Sequence, residues 1–292
     1  MKIFQGSAVA LVTPFNKNGE INFKSFERLL EFHLENNTQA IIIFGTTGES
    51  STLSDNEKFE LLKFAVSKCE KKIKIIAGTG SNNTAHAVYL TREAKKIGVD
   101  GCLIVTPYYN KTSQTGLIEH YKKISEIGLP VIIYNVPSRT GLNILPETYD
   151  KLSDLKNIVG IKEASGNISQ VAEVFALCRN KKNFNLYSGN DDQIVPILSL
   201  GGHGVISVLA NIFPKETQAL CQYFFDSEIK KSRDIQLKFL PLIKNLFCEV
   251  NPLPIKFAMN YLGFDVGKCR LPLTELSEQN KNKIIAVLND LK

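Results

Sequence analysis

Apolar residues fall along the chain in short, nearly unbroken runs, separated by longer stretches where they recur at helical spacing. The runs are residues 8–12, 40–44, 73–77, 101–105, 131–134, 158–162, 184–187 and 204–207. They are short, rich in Ile and Val, and show little polar alternation. That pattern predicts strands buried on both faces of a parallel sheet. Helices are predicted between them at 26–34, 55–66, 84–97, 117–127, 146–152, 171–177 and 194–200. Ser54 and Glu57 form a capping-box pattern, Asn83 or Thr84 opens the next helix, and Pro146 suits a first helical turn. Strand and helix alternate with short connections, so right-handed parallel crossovers are expected. Eight such units closing on themselves give an α/β fold of the (β/α)8 TIM-barrel type. An open doubly wound sheet is disfavoured because no Gly-x-Gly-x-x-Gly follows the first run. From Pro214 onward only helices are predicted, at 214–225, 229–247, 253–262 and 278–291, the first completing the eighth unit. The expected division is a catalytic barrel over residues 1–225 and a C-terminal helical extension over 226–292.

The length of 292 residues suits such a barrel, which typically has about 250. With 43% hydrophobic residues there is material for a large core. The net charge of +6 is mild, and the short pairs Lys71-Lys72 and Lys181-Lys182 read as solvated loop charges. Without a clustered basic patch, nucleic-acid binding is not expected. The residues from Met1 to Pro14 carry no signal-peptide core, and no apolar run approaches the ~18 residues of a membrane helix. Cys69, Cys102, Cys178, Cys221, Cys248 and Cys269 are scattered and form no Cys-x-x-Cys pair. They read as free thiols in a reducing compartment, so a cytoplasmic protein is expected. His33, His86, His120 and His203 are isolated, and no compact metal-ligand spacing appears.

In this fold the active site lies at the C-terminal ends of the strands. Those ends carry polar residues and glycines: Thr13-Pro14, Gly45-Thr46-Thr47-Gly48-Glu49, Gly78-Thr79-Gly80, Thr106-Pro107-Tyr108-Tyr109-Asn110, Tyr134 to Gly141, Lys162 to Gly166, Ser188 to Asp192, and Ile206-Ser207. Lys162 is the sharpest signal. A lysine ending an apolar strand loses water, which disfavours its ammonium form and frees the amine. A free amine condenses with a ketone to form a Schiff base. The competing reading is a buried ion pair with Glu163 or another carboxylate, although neighbouring strand residues face opposite sides. Gly45 to Gly48 could let a backbone approach an anion, or be an ordinary turn. Tyr134 could shuttle protons or fill the barrel mouth. Arg139 could hold a carboxylate or a surface partner. Tyr108 and Tyr109 could be packing.

Taken together, these residues resemble the dihydrodipicolinate synthase (4-hydroxy-tetrahydrodipicolinate synthase) family of pyruvate-dependent class I aldolases and lyases. The resemblance runs from Ala10-Leu11-Val12-Thr13-Pro14-Phe15 to Arg270-Leu271-Pro272. Gly45-Thr46-Thr47-Gly48-Glu49 and Gly160-Ile161-Lys162 mark the superfamily. The segment from Tyr134 to Gly141, with Pro107 to Lys111 and Gly201 to Ser207, marks the synthases. The resemblance implies that Lys162 forms an imine with pyruvate and that Thr46, Tyr134 and Tyr109 relay protons, Tyr109 in a neighbouring subunit's site. It implies that the Thr46 and Thr47 backbones hold the pyruvate carboxylate and that Arg139 holds that of aspartate semialdehyde. Gly189 and the Ile206 carbonyl would line the pocket.

The implied reaction joins pyruvate to L-aspartate 4-semialdehyde on the route to diaminopimelate and lysine, without metal or organic cofactor. N-acetylneuraminate lyase and 2-keto-3-deoxy sugar acid aldolases share the lysine and tyrosine, but their polyol aldehydes lack a carboxylate where Arg139 lies. A non-catalytic barrel would be favoured only without Lys162 or Tyr134. The resemblance also implies a homo-oligomer, commonly a tetramer, and an allosteric lysine site at Ser50, Asp55, Lys58, Asn82, His86 and Tyr108. That site looks degenerate. His86 stands where many members carry a glutamate that pairs with the ligand's amine, and Lys58 adds a positive charge. Lysine feedback is therefore expected to be weak or absent.

Overall fold

The computed structural model of the chain describes residues 2–181 and 184–291. Of the residues discussed above, Met1, Lys182 and Lys292 lie outside the described residues. The strands are β1 (Gly6–Ala10), β2 (Ala40–Ile43), β3 (Lys74–Gly78), β4 (Gly101–Val105), β5 (Val131–Asn135), β6 (Ile158–Glu163), β7 (Leu186–Ser188) and β8 (Gly204–Ser207). They pair in parallel in chain order, and β8 closes onto β1. The connecting helices are α1 (Phe23–Glu35), α2 (Asp55–Cys69), α3 (Thr84–Ile97), α4 (Gln114–Ser125), α5 (Pro137–Thr140), α6 (Pro146–Ser153), α7 (Ile168–Cys178) and α8 (Ile194–Ser199). Four follow β8: α9 (Pro214–Phe225), α10 (Ile229–Asn245), α11 (Leu253–Tyr261) and α12 (Glu278–Asp290). This is the (β/α)8 barrel with C-terminal helices expected from the sequence.

Successive strand residues face opposite sides, and both sides are apolar. Ala8, Ala40, Ile42, Ile76, Leu103, Ile132 and Ile206 fill the barrel interior. Val9, Ile41, Ile43, Ile75, Ile104, Ile133 and Ile161 pack outward against the helices. Burying each such Ile or Leu stabilises the fold by about 1.5–3 kcal/mol, an upper-end figure for a compact unfolded chain. The eighth unit closes where Ile194 and Leu198 of α8 meet Val205 of β8 and Leu220 of α9.

Element ends depart from the sequence pattern for local reasons. Leu11 and Val12 were expected in the first strand, but β1 ends at Ala10. The Val12 N–H instead donates to Asn211 Oδ1 at 3.1 Å. Phe184 was expected in the seventh strand, but it turns outward against Phe175, ring centroids 5.3 Å apart. Three helices start earlier than their apolar pattern because a side chain caps them. Asn22 accepts from the Ser25 N–H, Ser113 from Gly116 and Asn167 from Gln170. The capping box at Ser54 and Glu57 is present as expected.

The lysine pairs are solvated in part. Lys72 pairs with Glu70 at the surface, while Lys181 bonds Asp150 and Asp154 at 3.1 and 2.7 Å. All six cysteines are free. Among the described residues no helix is long and apolar enough to cross a membrane, and no cluster of three or more His, Cys, Asp or Glu side chains could hold a metal ion.

Two histidines are buried in the body of the fold. His33 Nδ1 lies 2.9 Å from Thr38 Oγ1, and His120 Nδ1 lies 2.9 Å from Thr84 Oγ1. In each ring Nε2 is buried without a partner among the described residues. Burial pulls His33 down to about 3 and His120 down to about 4. A depressed histidine holds fewer protons folded than unfolded, so it favours the fold above the unfolded value near 6.5. That contribution is lost as pH falls from 6.5 toward 4 for His120 and toward 3 for His33. We expect urea stability to fall with pH over this window by up to about 1.4 kcal/mol per unit for each histidine. His120→Gln should flatten the slope, and an unchanged slope in that variant would contradict the assignment.

Candidate active site

The alternation that builds the core also sorts the residues at the strand ends. Lys162 lies in register with Tyr134 on one side and Tyr187 on the other. Lys162 is buried, and its Nζ stands 4.3 Å from the centre of the Tyr134 ring. Tyr134 and Tyr187 belong to the inner apolar cluster, and the Tyr187 hydroxyl donates inward to the Phe4 carbonyl at 2.8 Å. Lys162 therefore sits inside the barrel wall among aromatic rings.

Glu163 faces the other way. Its carboxylate accepts from Tyr149 Oη at 2.8 Å, from the Ser165 N–H at 2.7 Å and from Asn135 Nδ2 at 3.2 Å. The ion pair between Lys162 and Glu163 is thus overturned. Glu163 is satisfied on the outer face, and Lys162 forms no ion pair among the described residues. The Asn135 side chain also bonds Asn143 Oδ1 and the Ile144 N–H. One polar cluster behind the sheet thereby anchors the ends of β5 and β6, and with them Tyr134 and Lys162. Burial raises the Tyr149 hydroxyl well above its ordinary range, and the Glu163 charge adds to that. Tyr149 stays a hydrogen-bond donor.

Gly189 closes one side of the lysine. A Cβ there would lie 2.7 Å from Ala164 Cβ and 3.1 Å from Lys162 Cε. Only glycine fits, which brings the β7 backbone against the lysine stem. Behind it, Asp191 Oδ2 accepts from the Val208 and Leu209 N–H groups at 3.0 and 2.9 Å. This fixes the chain just past Ile206 and Ser207. Burial pushes the Asp191 carboxyl up, and its hydrogen bonds and the Lys162 charge partly offset that.

Thr46 and Thr47 lie in the turn after β2. The Gly48 and Glu49 N–H groups donate to the Gly45 and Thr46 carbonyls, both at 3.1 Å. A Cβ on Gly48 would come within 2.9 Å of Phe44 Cα, so the turn needs glycine there. Glu49 has a positive φ of 55°, and its carboxylate is pinned by Lys256 Nζ at 2.7 Å and the Arg270 N–H at 2.8 Å. The side chains of the Lys256–Glu49 pair are only 3% and 1% exposed. Removing one partner of such a pair costs about 3–5 kcal/mol. The clamp therefore holds the threonine turn firmly against the C-terminal helices.

A cavity of about 520 Å³ opens beside this turn, lined by Thr46, Tyr134 and Arg139 and extending to Ser50, Asp55, Lys58, His86 and Tyr108. Lys162 meets this wall through the Tyr134 ring, while Thr47, Gly189, Ile206 and Asn82 do not line it; the Asn82 carbonyl accepts from Asn110 Nδ2 at 3.0 Å. Arg139 is carried on α5, a four-residue helix that the sequence pattern left as loop. Its Nη2 donates to the Asn251 carbonyl at 3.2 Å. Tyr109 is not brought to the other residues. It is 92% exposed, with a positive φ of 69°. In the outer arm of the cavity, Asp55 is held by His86 Nε2 at 2.9 Å and Lys58 Nζ at 3.6 Å. The contributions of Asn251 and Lys256 were missed in the sequence. Their only local signal is the Asn251-Pro252-Leu253-Pro254 run that opens α11.

Residues 3–291 match the model of the dihydrodipicolinate synthetase family. The chain belongs to that family. It is 56% identical to a 4-hydroxy-tetrahydrodipicolinate synthase of Caldicellulosiruptor bescii, over 99% of this chain and 98% of that one. A crystal structure of dihydrodipicolinate synthase from Thermotoga maritima superposes with a TM-score of 0.97 at 44% identity, covering 99% of each chain. The enzyme from Cyanidioschyzon merolae, solved with lysine bound, superposes at 0.96 with 39% identity, covering 100% of this chain and 99% of that one. Enzymes of the family use no external cofactor.

Proposed function

We propose that the chain is a 4-hydroxy-tetrahydrodipicolinate synthase that condenses pyruvate with L-aspartate 4-semialdehyde in diaminopimelate and lysine biosynthesis. The observation that carries this reading is Lys162, in no ion pair among the described residues and set against Tyr134 inside the barrel wall. As a member of its family the chain is a carbon–carbon bond-forming enzyme of the class I aldolase type.

The amine of Lys162 attacks the keto carbon of pyruvate, and water leaves as the imine forms. The imine makes the adjacent methyl group acidic, and loss of a proton gives an enamine. The enamine carbon adds to the aldehyde of the second substrate, whose oxygen takes up a proton. The substrate's own amine then displaces Lys162, closing the ring and regenerating the lysine. Tyr134 and Thr46 move protons at the carbonyl oxygens. Tyr109, too exposed to serve its own barrel, completes the relay in a neighbouring subunit, and the chain works as a homo-oligomer, a tetramer. The Thr46 and Thr47 backbones hold the keto-acid carboxylate. Gly189 and the Ile206 carbonyl line the lysine pocket. Residues 1–225 form the catalytic barrel and 226–292 an extension that braces it, in a cytoplasmic enzyme.

Arg139 selects the second substrate, since its guanidinium fork matches a carboxylate that polyol aldehydes lack there. Arg139→Ala should lower kcat/KM for aspartate semialdehyde about 100-fold, the scale of a lost charge-assisted pair. Formation of the pyruvate adduct should change by less than roughly twofold. Equal damage to both steps, or faster turnover of N-acetylmannosamine than of the semialdehyde by the parent enzyme, would count against this function.

The outer arm of the cavity supports weak lysine feedback. Asp55 already bonds His86 and Lys58, and a cationic ligand entering there meets a buried positive charge. Steady-state assays should show no half-inhibition by lysine below the millimolar range. Inhibition at micromolar lysine would refute the reading.

A further inference from the structure

We propose that Asn251 is a positioning residue for the keto-acid site: its side-chain amide fixes the direction in which Thr47 donates its hydroxyl proton. The inference rests on the function proposed above and extends it to a residue outside the barrel. Asn251 lies between α10 and α11 and is buried, as is Thr47. Its Nδ2 donates to Thr47 Oγ1 at 2.9 Å, across 204 positions of sequence. A hydroxyl carries one proton. Because Thr47 accepts from Asn251 on one side, its own proton is left for an acceptor on the other. No group among the described residues takes it. Thr47 belongs to the turn assigned to the pyruvate carboxylate, so the proton is available to that anion.

Two further observations set Asn251 apart from a packing residue. Its Oδ1 is buried with no partner among the described residues. An unsatisfied buried acceptor is costly, and an apolar side chain of the same size would avoid that cost. The amide is therefore retained for its donor end. Its backbone carbonyl also accepts from Arg139 Nη2 at 3.2 Å. One residue thus touches both groups assigned to the substrates' carboxylates. Its own position is fixed by the neighbouring Lys256–Glu49 clamp, which holds α11 against the same turn.

The test compares steady-state constants for the two substrates. The parent protein is first checked for the pyruvate adduct on Lys162, and failure there defeats the proposed function before Asn251 is in question. Asn251→Ala should raise KM for pyruvate about tenfold, equivalent to ~1.4 kcal/mol. The constant kcat and the KM for aspartate semialdehyde should each stay within roughly twofold, because the backbone carbonyl that meets Arg139 remains. Thr47→Val alone should raise KM for pyruvate similarly, and adding Asn251→Ala to it should change nothing further. Thr47→Ser, which keeps the hydroxyl, should keep the sensitivity to Asn251→Ala. Should Asn251→Ala fail to fold, Asn251→Ser carries the same expectation, since its hydroxyl is too short to reach Thr47. An unchanged pyruvate KM in the folded variant, or an equal rise with and without the Thr47 hydroxyl, would overturn the proposal.

Discussion

The structure depends on one constraint: in a closed parallel barrel with apolar walls on both sides, each strand residue must face either the interior or the helices. At the end of β6 this separates two adjacent charged side chains. Lys162 turns into the barrel against Tyr134, and Glu163 turns out to Tyr149, Asn135 and the Ser165 N–H. The outer carboxylate finds all its partners behind the sheet. Among the described residues the inner amine has no counter-ion in contact, which suits a nucleophile better than a structural lysine.

The surrounding elements act on that arrangement from three directions. The Asn135 and Glu163 cluster ties β5 to β6, so Tyr134 and Lys162 keep their register. Gly189 presses the β7 backbone against the lysine stem, and Asp191 secures the end of β8. The C-terminal segment reaches the β2 turn through Glu49 and Thr47, and α5 through Arg139. The helices after the barrel are therefore part of how the site is held.

The barrel was legible in the sequence because its strands are short, doubly apolar runs, and the rule that places active sites at strand ends then pointed to Lys162, Tyr134, Thr46 and Arg139. Helix starts were less legible. Those of α1, α4 and α7 depend on single capping side chains that an apolar pattern does not weigh. The short α5 that carries Arg139 read as loop for want of enough residues to show a period. Asn251 and Lys256 were invisible for a different reason. Their partners in the β2 turn, Thr47 and Glu49, lie more than 200 positions away, and nothing local records a contact of that range. Tyr109 was named in the sequence, yet its side chain stands away from the other site residues in a single chain.

The central claim is that the Lys162 amine captures a keto acid covalently. Incubation with pyruvate, reduction with borohydride and peptide mass mapping test it most directly. The account predicts a stable adduct on Lys162 alone, absent from Lys162→Ala. An adduct on another lysine such as Lys256, or full turnover by Lys162→Ala, would contradict it.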